Sequence, residues 1–148
     1  MSYNPASFNP QTSTSSALST PYTNASAITA IPQAQACSVN SSGLLVPLDV
    51  STQSSWQAFV GYAGARIATS TAGPVVSNGR IQNITTAIPV GTPVYIGKDS
   101  NPTSTIPSIG VNGFVSGDMV IFMGVLVQNE INNTEIDIAL FTQLIGTL

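Results

Sequence analysis

The chain has 148 residues but only three basic and six acidic side chains, a charged fraction of 6% against about 25% in ordinary soluble proteins. The cations are Arg66, Arg80 and Lys98 and the net charge is −3, which argues against nucleic-acid binding, where several phosphate-facing cations are needed. No histidine occurs, so Ser-His-Asp, Cys-His and His-based metal chemistry are excluded; the single cysteine, Cys37, excludes an intrachain disulfide and reads as a small buried apolar residue.

A chain of this size reads as one domain, able to bury roughly 68–70% of its unfolded surface. Its longest apolar run is nine residues, too short for a membrane-spanning helix, and no membrane partner is expected. The N-terminus has neither a basic region nor a long apolar stretch, so it does not read as a signal peptide, and synthesis in a cytoplasm is expected.

The first 48 residues carry no charge at all. Ser, Thr, Asn, Ala, Gln and Pro dominate residues 2–40, with widely spaced apolar residues among them. Pro5, Pro10, Pro21 and Pro32 break any helix and favour extended backbone. Residues 1–42 are therefore expected to form an extended arm that orders on a partner, with Tyr3, Phe8, Tyr22, Ile28 and Ile31 as its buried anchors. Such an arm cannot bind through ion pairs; apolar burial and backbone hydrogen bonds are left to it.

Residues 43–148 read as the folded β domain. Leu44 to Val50 is a first strand, placed at an edge because Pro47 lacks a ladder donor. Trp56 to Tyr62 reads as a second strand, with Trp56 as a core plug. Ala72-Gly73-Pro74 marks a turn before the short strand Val75-Val76, and Asn78-Gly79 is a two-residue hairpin signal leading to Arg80 to Thr85. Pro93 to Ile96 is a further strand, residues 97–107 a polar loop, and Asn112-Gly113 a second tight turn.

Residues 117–146 form the spine. Met119 to Val127 is a continuous run of apolar residues, as in a strand covered on both faces. After a polar corner, Ile136, Ile138, Leu140 and Leu144 share one side of a second strand, with Glu135, Asp137, Ala139 and Gln143 on an opposite, wet side. Short strands at intervals of about ten residues, without helical periodicity, predict an all-β antiparallel sandwich or barrel-like domain preceded by the extended arm.

The residues offer little chemistry. Glu135 and Asp137 share one strand face, as a glycosidase pair would, but a solvated face or an acidic edge that blocks strand pairing is the simpler reading. Gly97-Lys98-Asp99 lacks the spaced glycines of a phosphate loop. No catalytic residue, metal site or cofactor is expected.

Three segments carry a resemblance: Gly91-Thr92-Pro93-Val94-Tyr95-Ile96-Gly97, then Thr103 to Pro107, then Gly117-Asp118-Met119-Val120-Ile121-Phe122-Met123-Gly124-Val125. Their "G-x-P-V-Y" strand, Thr/Pro loop and "G-D-x-V" strand are similar to the pattern of tailed-bacteriophage head decoration (capsid cement) proteins and related head-fibre modules, over residues 43–128. The resemblance implies a non-enzymatic virion structural protein at the capsid surface, binding the major capsid protein and associating with itself as a homotrimer. A receptor- or glycan-binding module of a virion fibre or baseplate stays open as the alternative, with Tyr62 or Tyr95 and the Ser/Asn/Thr loops meeting sugars.

Overall fold

A computed structural model describes residues 19–148. In chain order the elements are β1 (Ser19–Thr23), β2 (Ala36–Val39), β3 (Leu45–Pro47), α1 (Gln53–Gln57), β4 (Phe59–Ala63), β5 (Ala72–Val76), β6 (Arg80–Ile84), β7 (Pro93–Ile96), β8 (Pro102–Thr103), β9 (Met119–Gln128) and β10 (Ile136–Thr147). They build two five-stranded antiparallel sheets, ordered β1-β5-β4-β2-β3 and β6-β10-β9-β7-β8. One of the two curls into a half-barrel. The all-β fold expected from the strand spacing is present.

The sheets follow each other along the chain, so the first half of the described sequence makes one layer and the second half the other. Between them lies the main core: Leu48, Val50, Tyr62 and Val76 from the first layer against Ile81, Ile96, Phe114, Ile121, Met123 and Ile138 from the second. Each large side chain buried there contributes about 1.5–3 kcal/mol. A smaller core of Ile31, Cys37, Leu45, Ala63, Ile67 and Val75, flanked by Tyr22, forms on the first sheet.

That smaller core changes the expected domain boundary. Residues 19–42 do not stand apart from the β domain. Strand β1 pairs with β5, and β2 is an inner strand between β4 and β3. Ile31 pairs with Ile67 in an isolated bridge, and the buried Asn24 side-chain amide donates to the Thr29 carbonyl at 2.9 Å. Low charge and proline content resemble an arm, yet these residues add edge and inner strands whose apolar contacts lie far away in sequence.

Three local expectations shift. The strand expected to start at Trp56 starts at Phe59, because Asp49 draws the preceding residues into a helical turn: its carboxylate accepts from the Ser51 N–H and hydroxyl and from the Thr52 hydroxyl. Trp56 then stacks on Phe59, and Phe59 meets the edge of Tyr62, with ring centroids 5.2 and 5.3 Å apart. Ala72-Gly73-Pro74 is not a turn but lies in β5, paired with Tyr22 and its neighbours. Asn78-Gly79 does not close a hairpin; with Gly79 at φ 86° the chain leaves the first sheet there and enters the second.

Other readings hold locally. Strand β3, with Pro47, is an edge strand. Asn112 and Gly113 both have positive φ, and the Phe114 N–H donates to the Val111 carbonyl at 3.0 Å, as a primed turn requires. Strands β9 and β10 pair as the spine. Along β9, fully buried Met119, Ile121, Met123 and Leu126 face the core, while Val120, Phe122, Val125 and Val127 are only half-buried on the other side. The apolar run is thus not covered on both faces.

Candidate functional site

Asp137, expected on a wet face, is 0% exposed. Its carboxylate accepts from the Asn129 side-chain amide at 3.0 Å and the Asn83 N–H at 3.1 Å, and lies 3.4 Å from the Arg80 guanidinium, which also reaches Glu130 at 3.3 Å. Glu135 is half-buried and takes no part in those contacts. The strand register shifts between Ile136 and Ile138, which sets Asp137 in an irregular stretch of the β6–β10 ladder. Asp137 holds the 128–135 corner onto β6; this is structural chemistry.

At the opposite end of the spine Asp118 is 1% exposed and bound by the Lys98 ammonium at 2.6 Å and the Val115 N–H at 2.9 Å. Burial would raise its pKa, but the Lys98 hydrogen bond, the Val115 N–H and the Lys98 charge hold the carboxyl below its ordinary value. Asp49 is held low by hydrogen bonds from Ser51 and Thr52. Cys37 is fully buried, and desolvation pushes its thiol up to about 12. It is an inert core residue. Among the described residues no group of three or more His, Cys, Asp or Glu side chains is placed to hold a metal.

What the structure does present is apolar surface. The register places two rows across the outer side of the second sheet: Arg80, Ala139, Val125 and Pro93 in one, and Gln143, Phe122, Tyr95 and Thr103 in the next. Phe141 lies between Ala139 and Gln143 on β10 and is 64% exposed; Ile145 further along is 57% exposed. Tyr95 and Phe122 meet edge to face, ring centroids 5.7 Å apart, which fixes both rings on this face. The 104–117 loop adds exposed Ile106, Ile109 and Val115, anchored by the buried Phe114. Sequence reading missed this surface because it assigned the apolar run of β9 to burial on both faces.

A second feature is a cleft of about 440 Å³ where the two sheets part, with Ala34, Val94, Leu126 and Ile138 at its floor and Thr85, Thr86, Thr103 and Ser104 around it.

The expected arm anchors do not gather into one site. Tyr3 and Phe8 lie outside the described residues. Ile31 is 2% exposed and spent on the chain's own smaller core, against which Tyr22 also packs. Ile28 is 91% exposed and is the one described anchor available to a partner. Tyr62 is fully buried and cannot meet a sugar. Among the described residues no helix is long and apolar enough to cross a membrane.

Comparison with family models, with curated proteins and with solved structures returns no match.

Proposed function

We propose that the protein is a non-enzymatic structural component of a virion, a cement-like protein that attaches to an assembled capsid through the outer face of its second sheet. The observation that carries the reading is Phe141 standing out at 64% exposure on the face where Phe122 and Tyr95 meet edge to face. Exposed apolar surface marks interaction sites, and Arg80, the cation in the Ala139 row, is already engaged by Asp137 and Glu130, so apolar burial is what the face offers a partner. The sequence resemblance to head decoration proteins supplies the partner, the major capsid protein, and the homotrimeric state. Ile28 and the residues before Ser19 would supply further contacts to neighbouring subunits.

The test is quantitative electrophoresis of purified particles together with rebinding of Phe141→Asp protein. Hundreds of copies per particle, and at least about tenfold weaker rebinding by the variant, support the reading; a tenfold loss corresponds to about 1.4 kcal/mol. Unchanged rebinding removes this face from the contact.

The cleft favours a second reading, the glycan-binding module of a fibre or baseplate, since its hydroxyl-bearing rim suits a small polar ligand. A few dozen copies or fewer per particle would favour that reading.

A further inference from the structure

The cleft where the two sheets part, of about 440 Å³, lies within the size range of small-molecule sites. None of the residues that line it is charged or aromatic. A ligand there must be neutral, since a charge would find no counter-charge. Nor can it be held by stacking on an aromatic ring. Apolar contact is left to the floor, where Val94, Leu126 and Ile138 present buried aliphatic side chains.

The fourth floor residue, Ala34, has φ 72°, in the left-handed region that alanine rarely adopts. Its N–H donates to the Ala63 carbonyl at 2.7 Å, which ties this conformation to β4. Backbone held in such a region by its surroundings is a recurring feature of ligand sites. With only a methyl group at this position the floor stays open. The rim offers donors. The Ile88 N–H donates to the Thr86 hydroxyl and the Thr105 N–H to the Thr103 hydroxyl, each at 3.1 Å. Both oxygens are thereby fixed, and both hydroxyl protons are left to donate. Among the described residues the Thr85 and Ser104 hydroxyls of the rim bond nothing within the chain.

We infer that the cleft takes a neutral N-acetylated sugar, with the acetamido methyl on the aliphatic floor and the amide carbonyl accepting from the Thr86 or Thr103 hydroxyl. The inference rests on the glycan reading of the cleft and names the class of sugar. A plain hexose offers the floor no methyl group. A deoxy sugar such as fucose offers a methyl group but no strong neutral acceptor beside it. The acetamido group carries both side by side, and the ring hydroxyls are left for Thr85 and Ser104. With no charged group on the lining, the cleft binds such a sugar without acting on it.

Titration of the full chain with N-acetylglucosamine, N-formylglucosamine, fucose and glucose, read by NMR shifts of side-chain methyl groups, is the test. Shifts are expected at Val94, Leu126 and Ile138. N-acetylglucosamine is expected to bind at least about tenfold more tightly than the formyl sugar, which lacks only the methyl group. Equal affinity for the formyl sugar overturns the seat of the methyl group. Fucose or glucose binding as tightly in the cleft overturns the acetamido assignment and leaves the glycan reading standing, whereas no shift with any of the four overturns both. Shifts confined to residues away from the cleft overturn the site. The Thr86→Val, Thr103→Val double variant is expected to bind N-acetylglucosamine about tenfold more weakly, and unchanged affinity overturns the role of the two hydroxyls. Should that variant fail to fold, the sugar series on the native chain decides alone.

Discussion

The hydroxyl of Tyr62 on β4 and the hydroxyl of Thr142 on β10 meet at 2.7 Å, joining the two sheets through residues far apart in sequence. Tyr62 is fully buried and holds the edge of its ring against Phe59, so the polar tip and the apolar body each have a partner. The strand register of β9 and β10 shifts between Leu140 and Gln143, around Thr142. The irregularity in the ladder coincides with the polar link.

Tyr62→Phe removes that link and leaves the Thr142 hydroxyl, half-buried and near solvent, to find water. The expected cost is about 1 kcal/mol. Tyr62→Ala also empties a core position and is expected to cost about 3–5 kcal/mol. Thermal melts of the two variants check the order, and a Phe variant as damaged as the Ala variant contradicts it.

Acid should weaken the fold through Asp118. Its folded pKa is lowered, so the stability it contributes is present above the unfolded value of about 3.9 and is lost as pH falls through the folded value. Asp118→Asn is expected to cost about 1.5–3 kcal/mol at pH 7, the range of a charge-assisted bond, and to lose its disadvantage in strong acid. Urea titrations at pH 7 and pH 2.5 make the comparison; a constant difference between the two proteins would show that Asp118 is not the titrating group.

Alkali acts through Cys37 in the opposite sense. Burial raises the thiol from 9.0 to about 12, with the Ala63 backbone offsetting part of the rise. Its contribution is fully present below pH 9 and is lost as pH climbs toward the folded value. At pH 8 the native protein should react with a thiol reagent at least about a hundredfold more slowly than the urea-unfolded chain. Comparable rates would place Cys37 in a region that opens readily.

At Gly124 the backbone of β10 passes close over β9. A Cβ there would run into the Ala139 carbonyl oxygen, a backbone atom that cannot swing aside, whereas a Cβ on Gly146 meets nothing. Gly124→Ala is expected to cost about 1–3 kcal/mol, as overpacking does, and Gly146→Ala close to nothing. Equal melting temperatures for the two variants would contradict the close approach.

Under the proposed function, particle-bound protein should stay attached in about 1 M sodium chloride, where the Debye length is near 3 Å, because the contact is made by apolar side chains and Arg80 on that face is already ion-paired within the chain. Urea or mild heating should release it, since both weaken burial and backbone pairing. Release by salt alone would assign the contact to the cations, of which Arg66 is exposed while Arg80 and Lys98 are engaged in ion pairs.

By itself the sequence determined what short-range chemistry controls. Alternating and continuous apolar runs fixed strands β7, β9 and β10, Asn112-Gly113 fixed its turn, and Pro47 fixed an edge, because side-chain period and backbone φ are local properties. The absence of histidine likewise set chemical limits without reference to the fold. Tertiary structure decided the rest. Residues 19–42 look like an arm in composition, but pairing with β5 and β4 makes them sheet, and that pairing depends on contacts with Ile67 and Val75 that no local pattern encodes. Asp137 reads as solvent-facing by alternation and is buried because Arg80 and Asn129 arrive from other segments. The exposed face around Phe141 could not be read from an apolar run, since period and composition say which residues share a side, and only the packing of one sheet on the other says which side is covered.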